Sequence, residues 1–326
     1  MSSRSHQPGA GPGPTIAISV AVYAVVLLTG MLLQARYQIV LLPRSAIMAL
    51  AWLAIGPWLI RDGVRVSREL LEAYRPLFPT EEAWSELRRV NPGRPSADWL
   101  LFGVPWSVAC TWLVIAVVYP AAQGLALLWA GFAFGTLFLL SGRGFWGVLA
   151  VVRFVRGFAG AGVTYRPYHP DHFGGFGAIG AYAARAALYF SSGALVLPLA
   201  FDAIGLSQTK TPTVAPLVSY LLTATFILFV LLAFVLPVVE IKRFADRERE
   251  RVTAEARSRL DRLVEAYNTK ANHDEQLARQ IEMCFYMECG EFAKLREYPY
   301  DLKSVLELIV AGAVPVAVVV IESLLR

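Results

Sequence analysis

The sequence predicts an all-α integral membrane protein: a helical bundle of six or seven spans with a cytoplasmic antiparallel helical hairpin. The chain has 326 residues, is 56% hydrophobic and has a mean hydropathy of +0.51, values typical of polytopic membrane proteins. An apolar helix of about 20 residues crosses a hydrocarbon core about 30 Å thick. Seven runs approach that length: 16–33, 45–60, 99–119, 122–140, 178–200, 214–239 and 305–325. The last contains Glu307 and Pro315, so an interfacial or re-entrant helix is the alternative there.

The N-terminal region is predicted to comprise a disordered cytoplasmic tail, residues 1–14, followed by spans one and two in residues 15–60. The tail is rich in Ser, Gly and Pro. The first apolar run is longer than the roughly 7–15 residues of a signal-peptide core and has no clear small-residue cleavage site. We therefore expect it to be retained as a span.

Loop charges predict the orientation of the bundle in the cell membrane. Residues 61–98 contain seven arginines, and residues 240–304 contain thirteen Lys and Arg. The connectors at 120–121 and 201–213 contain a single lysine between them. Short basic loops stay in the cytoplasm, so the N-terminus and residues 240–300 are predicted to be cytoplasmic.

Residues 61–98 are predicted to form a cytoplasmic helical segment before spans three and four in residues 99–141. An amphipathic helix over 62–75 should end at Pro76, because proline cannot continue a helix. Thr80 is a candidate N-cap for a second short helix that begins with Glu81 and Glu82.

Residues 142–177 form a basic cytoplasmic loop in this prediction. Between 142 and 185, five arginines face one acid, Asp171. Such a surface attracts anionic lipid headgroups or phosphate ligands, although the positive-inside rule alone also explains it. The candidate anion-binding residues are Arg153, Arg156, Arg166 and Arg185. No basic stripe with interleaved aromatic residues suggests nucleic acid.

The motif His169-Pro170-Asp171-His172-Phe173-Gly174-Gly175 is the densest group of reactive side chains in the loop. His169 and Asp171 are candidate catalytic residues, since imidazole and carboxylate suit acid–base chemistry near neutral pH. A metal site needs further ligands, so no metal or cofactor is predicted. The alternative is structural: Asp171 would accept backbone N–H bonds, with Pro170, Gly174 and Gly175 shaping the loop.

The same motif resembles an HPDxxGG loop of uncharacterised polytopic membrane proteins of bacteria and archaea. Tyr298-Pro299-Tyr300-Asp301 is similar to an aromatic-Pro-aromatic-Asp turn near the C-terminus of some of those proteins. The resemblance implies a prokaryotic membrane architecture and no activity.

Spans five and six are predicted in residues 178–239, a hairpin in 240–300 and a C-terminal hydrophobic helix in 301–326. Apolar residues at helical spacing form two stripes, one from Ile241 to Tyr267 and one from Leu277 to Leu295. The stripes favour coiled-coil pairing in a homo-oligomer, or packing of the hairpin on itself. An ion pair between Arg185 and Glu307 is our hypothesis for how the last helix docks.

The predicted function is a non-enzymatic, oligomeric channel, transport or membrane-signalling module, assembled or gated by the hairpin. One alternative is a membrane-embedded enzyme that acts on a lipid or phosphate substrate through the His169 and Asp171 loop. Another is a scaffold that binds a soluble partner through the hairpin. The predicted partners are the bilayer, its anionic headgroups and further copies of the chain.

Overall fold

The computed structural model describes residues 12–90, 97–163, 166, 169, 171, 173–204, 214–269, 275–286 and 302–325. Every regular element in these residues is a helix, which confirms the all-α prediction. The α-helices are α1 Pro12–Tyr37, α2 Arg44–Tyr74, α3 Glu81–Val90, α4 Asp98–Val118, α5 Leu125–Gly160, α6 Gly177–Ser191, α7 Leu197–Ala203, α8 Val214–Thr269, α9 Glu275–Tyr286 and α10 Leu302–Leu325.

Seven helical segments of the described chain are long and apolar enough to cross a membrane. They include the C-terminal segment, Lys303–Ile321, despite Glu307 and Pro315. Long apolar side chains cover the outer faces of α1 and α4, where Leu32 is 71% exposed and Leu101 is 83% exposed. Such faces suit contact with lipid chains. The chain is therefore a multi-pass membrane protein.

Three helices continue well past the length that a bilayer requires. At 1.5 Å per residue, α2 extends about 46 Å, α5 about 54 Å and α8 about 84 Å. The second span and the amphipathic segment after it, predicted as separate helices, are one helix, because no proline follows Pro57 before Pro76. The charged ends of α2, α5 and α8 meet on one side of the bundle, which we call the basic side.

An aromatic core holds these helix ends together on the basic side. Its fully buried members include Phe154, Phe158, Phe176 and Ile241. The Phe176 ring meets Phe158 edge-on at 5.8 Å and Phe244 at 5.3 Å between ring centroids. Edge-to-face pairs of this kind add about 0.5–1.5 kcal/mol each beyond the area they bury. This basic-side core links α2, α5, α6 and α8.

The short helix α3 forms as the sequence predicts. Thr80 Oγ1 accepts a hydrogen bond from the Ala83 N–H at 3.2 Å, and Glu81 and Glu82 occupy the first turn. Trp84 is buried, with the guanidinium groups of Arg75 and Arg88 at 4.6 and 5.1 Å from its ring centroid. Residues 91–96, which follow this helix, lie outside the described residues.

Span five differs from the prediction of one continuous helix over 178–200. It consists of α6, a 3-10 segment Ser192–Val196, and α7. Pro198 lacks an N–H and its ring would clash with the carbonyl four residues earlier, so the backbone tightens before it. The break places Gly193, Ser192 and Leu197 beside α2 and α8.

The hairpin prediction agrees with the described part of residues 240–300. Span six runs directly into its first arm, since α8 continues to Thr269, and α9 packs against α8. Residues 270–274 and 287–301, which include Asp301, lie outside the described residues. At the other end of the chain, Pro12 and the two residues after it belong to α1, although the disordered tail was expected to reach residue 14.

Candidate functional site: the Asp171 loop and the arginine cavity

Asp171 organises the loop that leads into α6. Its Oδ1 accepts the N–H groups of Phe173 at 2.9 Å and Gly175 at 3.0 Å. Its Oδ2 accepts the N–H of Gly177, the first residue of α6, at 2.8 Å. The carboxylate therefore satisfies loop donors and one of the N–H groups that a helix start leaves unpaired. We call the described residues between 166 and 177 the Asp171 loop.

Two glycines allow the backbone conformation of this loop. Gly174 and Gly175 have positive φ values of 69° and 95°, which L side chains rarely adopt. Gly174 also accepts the Arg166 N–H through its carbonyl oxygen at 3.1 Å. A Cβ at Gly177 would lie 3.1 Å from Asp171 Oδ2, so a small residue lets the carboxylate approach the start of the helix.

The electrostatics of Asp171 follow from these contacts. Burial would raise the pKa of its carboxyl group. The N–H donors of Gly177, Phe173 and Gly175, together with His169, outweigh that effect and lower the pKa below its ordinary value. Asp171 is therefore a weak base engaged in the structure of the loop.

His169 is the described histidine of this motif. Its Nδ1 lies 3.0 Å from Asp171 Oδ1, and its side chain is 40% exposed. Pro170 and His172 lie outside the described residues, so the two-histidine arrangement is not described. Within the described chain, no three His, Cys, Asp or Glu side chains come together as metal ligands could.

A second site lies inside the bundle. It is a cavity of about 510 Å³, a volume within the range of about 300–1,000 Å³ that holds organic ligands. Residues of α2, α4, α5, α6, α7 and α8 line it, with Arg89 of α3 near its basic end. Its apolar wall includes Trp52, Cys110, Leu113, Phe138 and Phe226.

Among the described residues, four arginines line this cavity, against a single aspartate, Asp98. They are Arg89, Arg143, Arg153 and Arg185. Arg143 lies 4.9 Å from the centroid of the Trp99 ring, and Arg153 lies 5.1 Å from that of Trp146. We call this site the arginine cavity.

Ring contacts between α5 and α6 fix the relative depth of three of these arginines. Phe154 meets Tyr182 at 6.3 Å, and Phe145 meets Phe190 at 5.1 Å. The two helices are antiparallel, so Arg185 lies at a depth between those of Arg143 and Arg153. The ten residues from Arg143 to Arg153 cover about 15 Å of helix.

The four arginines of the predicted anion-binding set thus lie in three different places. Arg153 and Arg185 line the arginine cavity. Arg156 instead pairs with Glu240 of α8 at 2.9 Å. Arg166 is in the Asp171 loop and donates to the Pro76 carbonyl at 3.4 Å.

The seam between α2 and α6 forms one wall of the cavity. Trp52 Nε1 donates to Ser192 Oγ at 2.9 Å, and the Tyr189 hydroxyl donates to Asp62. No ion pair joins Arg185 to Glu307, both of which are described, so the hypothesis of that docking pair is wrong. The last helix packs on α6 without it.

Sequence reasoning missed the contribution of Arg89 and the apolar wall. Arg143 was noticed only as part of a general basic excess. Its position after Gly142 was the available signal, since Gly142 lies directly against the Gly103 backbone of α4 and so marks a part of α5 that is packed within the bundle. Comparison with known proteins adds no identity: no family model, curated protein or solved structure matches the chain. The resemblance through the HPDxxGG loop remains an expectation.

Proposed function

We propose that this multi-pass membrane protein is a non-enzymatic transport module whose solute site is the arginine cavity. The carrying observation is a cavity of about 510 Å³ within the span bundle, apolar along most of its wall and lined by four arginines. Membrane transporters bind solutes inside the bundle, at broken helices and charged side chains. The break between α6 and α7 supplies such an irregular element beside the cavity.

The long helix α8 supports a gating role for the hairpin. Phe226 of α8 lines the cavity, while Ile241 and Phe244 of the same helix are buried in the basic-side core. A displacement of the distal part of α8 would therefore act on both regions. By the positive-inside rule we assign the basic side to the cytoplasm.

The hairpin also supports assembly of several copies. Within α9, Met283 and Phe285 are 68% and 59% exposed, and the described residues of this helix include none that is buried. A homo-oligomer formed through this face, by coiled-coil pairing, stays a prediction.

The enzyme alternative would use His169 and Asp171. The three backbone N–H groups on the Asp171 carboxylate and its lowered pKa favour a structural role for it instead. A scaffold that binds a soluble partner through the hairpin remains a further alternative, with no described contact that favours it over transport.

Native Cys110 lines the cavity and gives a test that needs no knowledge of the solute. In a background with Cys284 and Cys289 changed to Ser, the protein is reconstituted in liposomes. It is then treated with the anionic sulfonatoethyl or the cationic trimethylammonium methanethiosulfonate. We expect Cys110 to react from the basic side, and faster with the anionic reagent, because the arginines attract it. Reaction with only a membrane-permeant maleimide would argue against an accessible solute site.

Transport itself is measured on the same vesicles. They contain chloride, inorganic phosphate and glycerol phosphate, and NBD-labelled phosphatidylglycerol in one leaflet. At least one probe should cross faster than in protein-free vesicles, and modification of Cys110 should slow it. His169→Ala should leave the rate unchanged. No protein-dependent movement of any probe would contradict the proposed transport function.

A further inference from the structure

We infer that the occupant of the arginine cavity is a single anionic phospholipid, with its phosphate among Arg143, Arg153 and Arg185 and its acyl chains against the apolar wall. The inference deepens the proposed function and rests on the cavity being its solute site. Charge, length and the position of the opening support it.

The charges of the cavity arginines are not matched by side chains of the described chain. None of Arg143, Arg153 and Arg185 forms an ion pair there. Arg156, one turn from Arg153 on the same helix, pairs with Glu240 at 2.9 Å. Arg143 and Arg185 are half-buried, and a partly buried cation is costly unless an anion faces it, whereas Arg153 lines the cavity with an exposed side chain. Planar guanidinium groups bind phosphate through paired hydrogen bonds.

The lining of the cavity extends much further in depth than a small anion requires. On α4 its lining runs from Asp98 to Val114, and on α5 from Phe138 to Arg153. These stretches correspond to about 24 and 22 Å of helix. They are offset in depth, because the antiparallel packing places Ser107 of α4 beside Gly135 of α5. The lining therefore covers at least the depth of one leaflet with its headgroup region, about 20–22 Å. A small anion such as phosphate would occupy only the arginine end of this length.

The polarity changes along the cavity as it does along a phospholipid. Arg89, Asp98 and Arg153 lie at the basic end, and the interfacial Trp99 and Trp146 rings stack with two of the cavity arginines. The far end is apolar. There Leu113 and Ile204 are 39% and 50% exposed on the outside of the bundle, so the cavity wall meets the lipid phase.

The test measures binding of defined lipids to the purified full-length protein in detergent by native mass spectrometry. Dioleoyl-phosphatidylglycerol should bind in a one-to-one ratio, and dioleoyl-phosphatidylcholine about tenfold more weakly or worse, since its headgroup has no net charge. Glycerol phosphate, which carries the same phosphate without acyl chains, should not displace the lipid at equal concentration.

Matched arginine variants locate the lipid. The double change Arg153→Gln with Arg185→Gln should weaken phosphatidylglycerol binding by about tenfold or more, because each removes a charge-assisted contact to phosphate. Arg156→Gln, on the same helix but outside the cavity, should change binding by less than about twofold. If Arg156→Gln weakened phosphatidylglycerol binding as much as the double variant does, the lipid would be responding to general surface charge, and its assignment to the cavity would be overturned.

A second measurement leaves the arginines unchanged and so does not depend on whether their variants fold. Phosphatidylglycerol in mixed micelles should slow the reaction of Cys110 with the anionic thiol reagent about tenfold relative to phosphatidylcholine. Equal rates in the two lipids would overturn the phospholipid inference. Equal rates together with an accessible Cys110 and measured solute flux would leave transport standing for another substrate. Displacement of the lipid by glycerol phosphate would instead assign the site to a free phosphate compound.

Discussion

The Asp171 loop and the arginine cavity both gather ionisable side chains near the basic side of the bundle, but they engage them differently. In the loop, Asp171 is occupied by backbone N–H groups of its own segment. In the cavity, Arg143, Arg153 and Arg185 line a volume of about 510 Å³ and form no ion pair within the described chain. Ionisable groups that form their hydrogen bonds within their own segment stabilise the fold. Charged groups that line a cavity without a partner from the described chain are available to bind a ligand.

The largest expected effect tests whether the Asp171 loop is anchored in the basic-side core. Phe176→Ala should lower the free energy of unfolding by about 3–5 kcal/mol, because it removes a fully buried ring and leaves a cavity. Phe132→Ala on the same protein is the control. Phe132 is 64% exposed on the outside of α5 and should change stability little. Denaturant unfolding in micelles measures both, and equal losses would contradict the packing described for the loop.

The next effect separates a structural Asp171 from a catalytic one. Asp171→Ala should lower the free energy of unfolding by about 2–4 kcal/mol, because three backbone donors lose their acceptor. His169→Ala should cost about 0–1 kcal/mol, since that side chain is 40% exposed and its contact is partly solvated. If Asp171→Ala unfolds like the unchanged protein, the structural role is wrong.

A smaller effect concerns the wall of the arginine cavity. Gly142→Ala would place a Cβ 2.9 Å from Gly103 Cα, so α4 and α5 must separate and stability should fall by about 1–3 kcal/mol. Gly131→Ala on α5 meets nothing within 4 Å. It should be neutral or slightly stabilising, because alanine favours a helix over glycine. Thermal unfolding of the pair decides whether this close crossing is real.

The smallest effect is a pH dependence carried by Asp171. Its folded pKa lies below the ordinary value of 3.8, so its contribution to stability is present above that value and is lost as pH falls through the folded pKa. Unfolding temperatures measured from pH 7 down to pH 3 should fall for the unchanged protein. The fall should be smaller in Asp171→Asn, which has no charge to lose. Parallel curves for the two proteins would contradict the assignment.

The sequence was sufficient for the parts of the fold that depend on local pattern. Apolar run length predicts the spans, Thr80 predicts the start of α3, and the charges after Val239 predict the hairpin arms. The length of an apolar run does not show where a helix ends. It therefore could not predict that α2 continues past the membrane, or that the helix of span five breaks before Pro198. The excess of arginines around Asp171 could also be read from the sequence.

The arginine cavity could not be derived from the sequence because its lining is assembled from six helices distant in the chain. In the sequence, Arg153 and Arg156 are two arginines three positions apart, and nothing in the local pattern distinguishes them. Only packing against α8 pairs one with Glu240 and leaves the other at the cavity. The pairing of Arg185 with Glu307 failed for the same reason, since depth and helix rotation decide which charges meet.

The most direct measurement compares one residue from each region in the same assay. Arg153→Gln and His169→Gln are each reconstituted in liposomes, and phosphatidylglycerol binding and movement are measured beside the unchanged protein. We expect Arg153→Gln to weaken both binding and movement, while His169→Gln leaves both within about twofold of the unchanged protein. Loss of movement in His169→Gln with an unaffected Arg153→Gln would contradict it and return the functional site to the Asp171 loop.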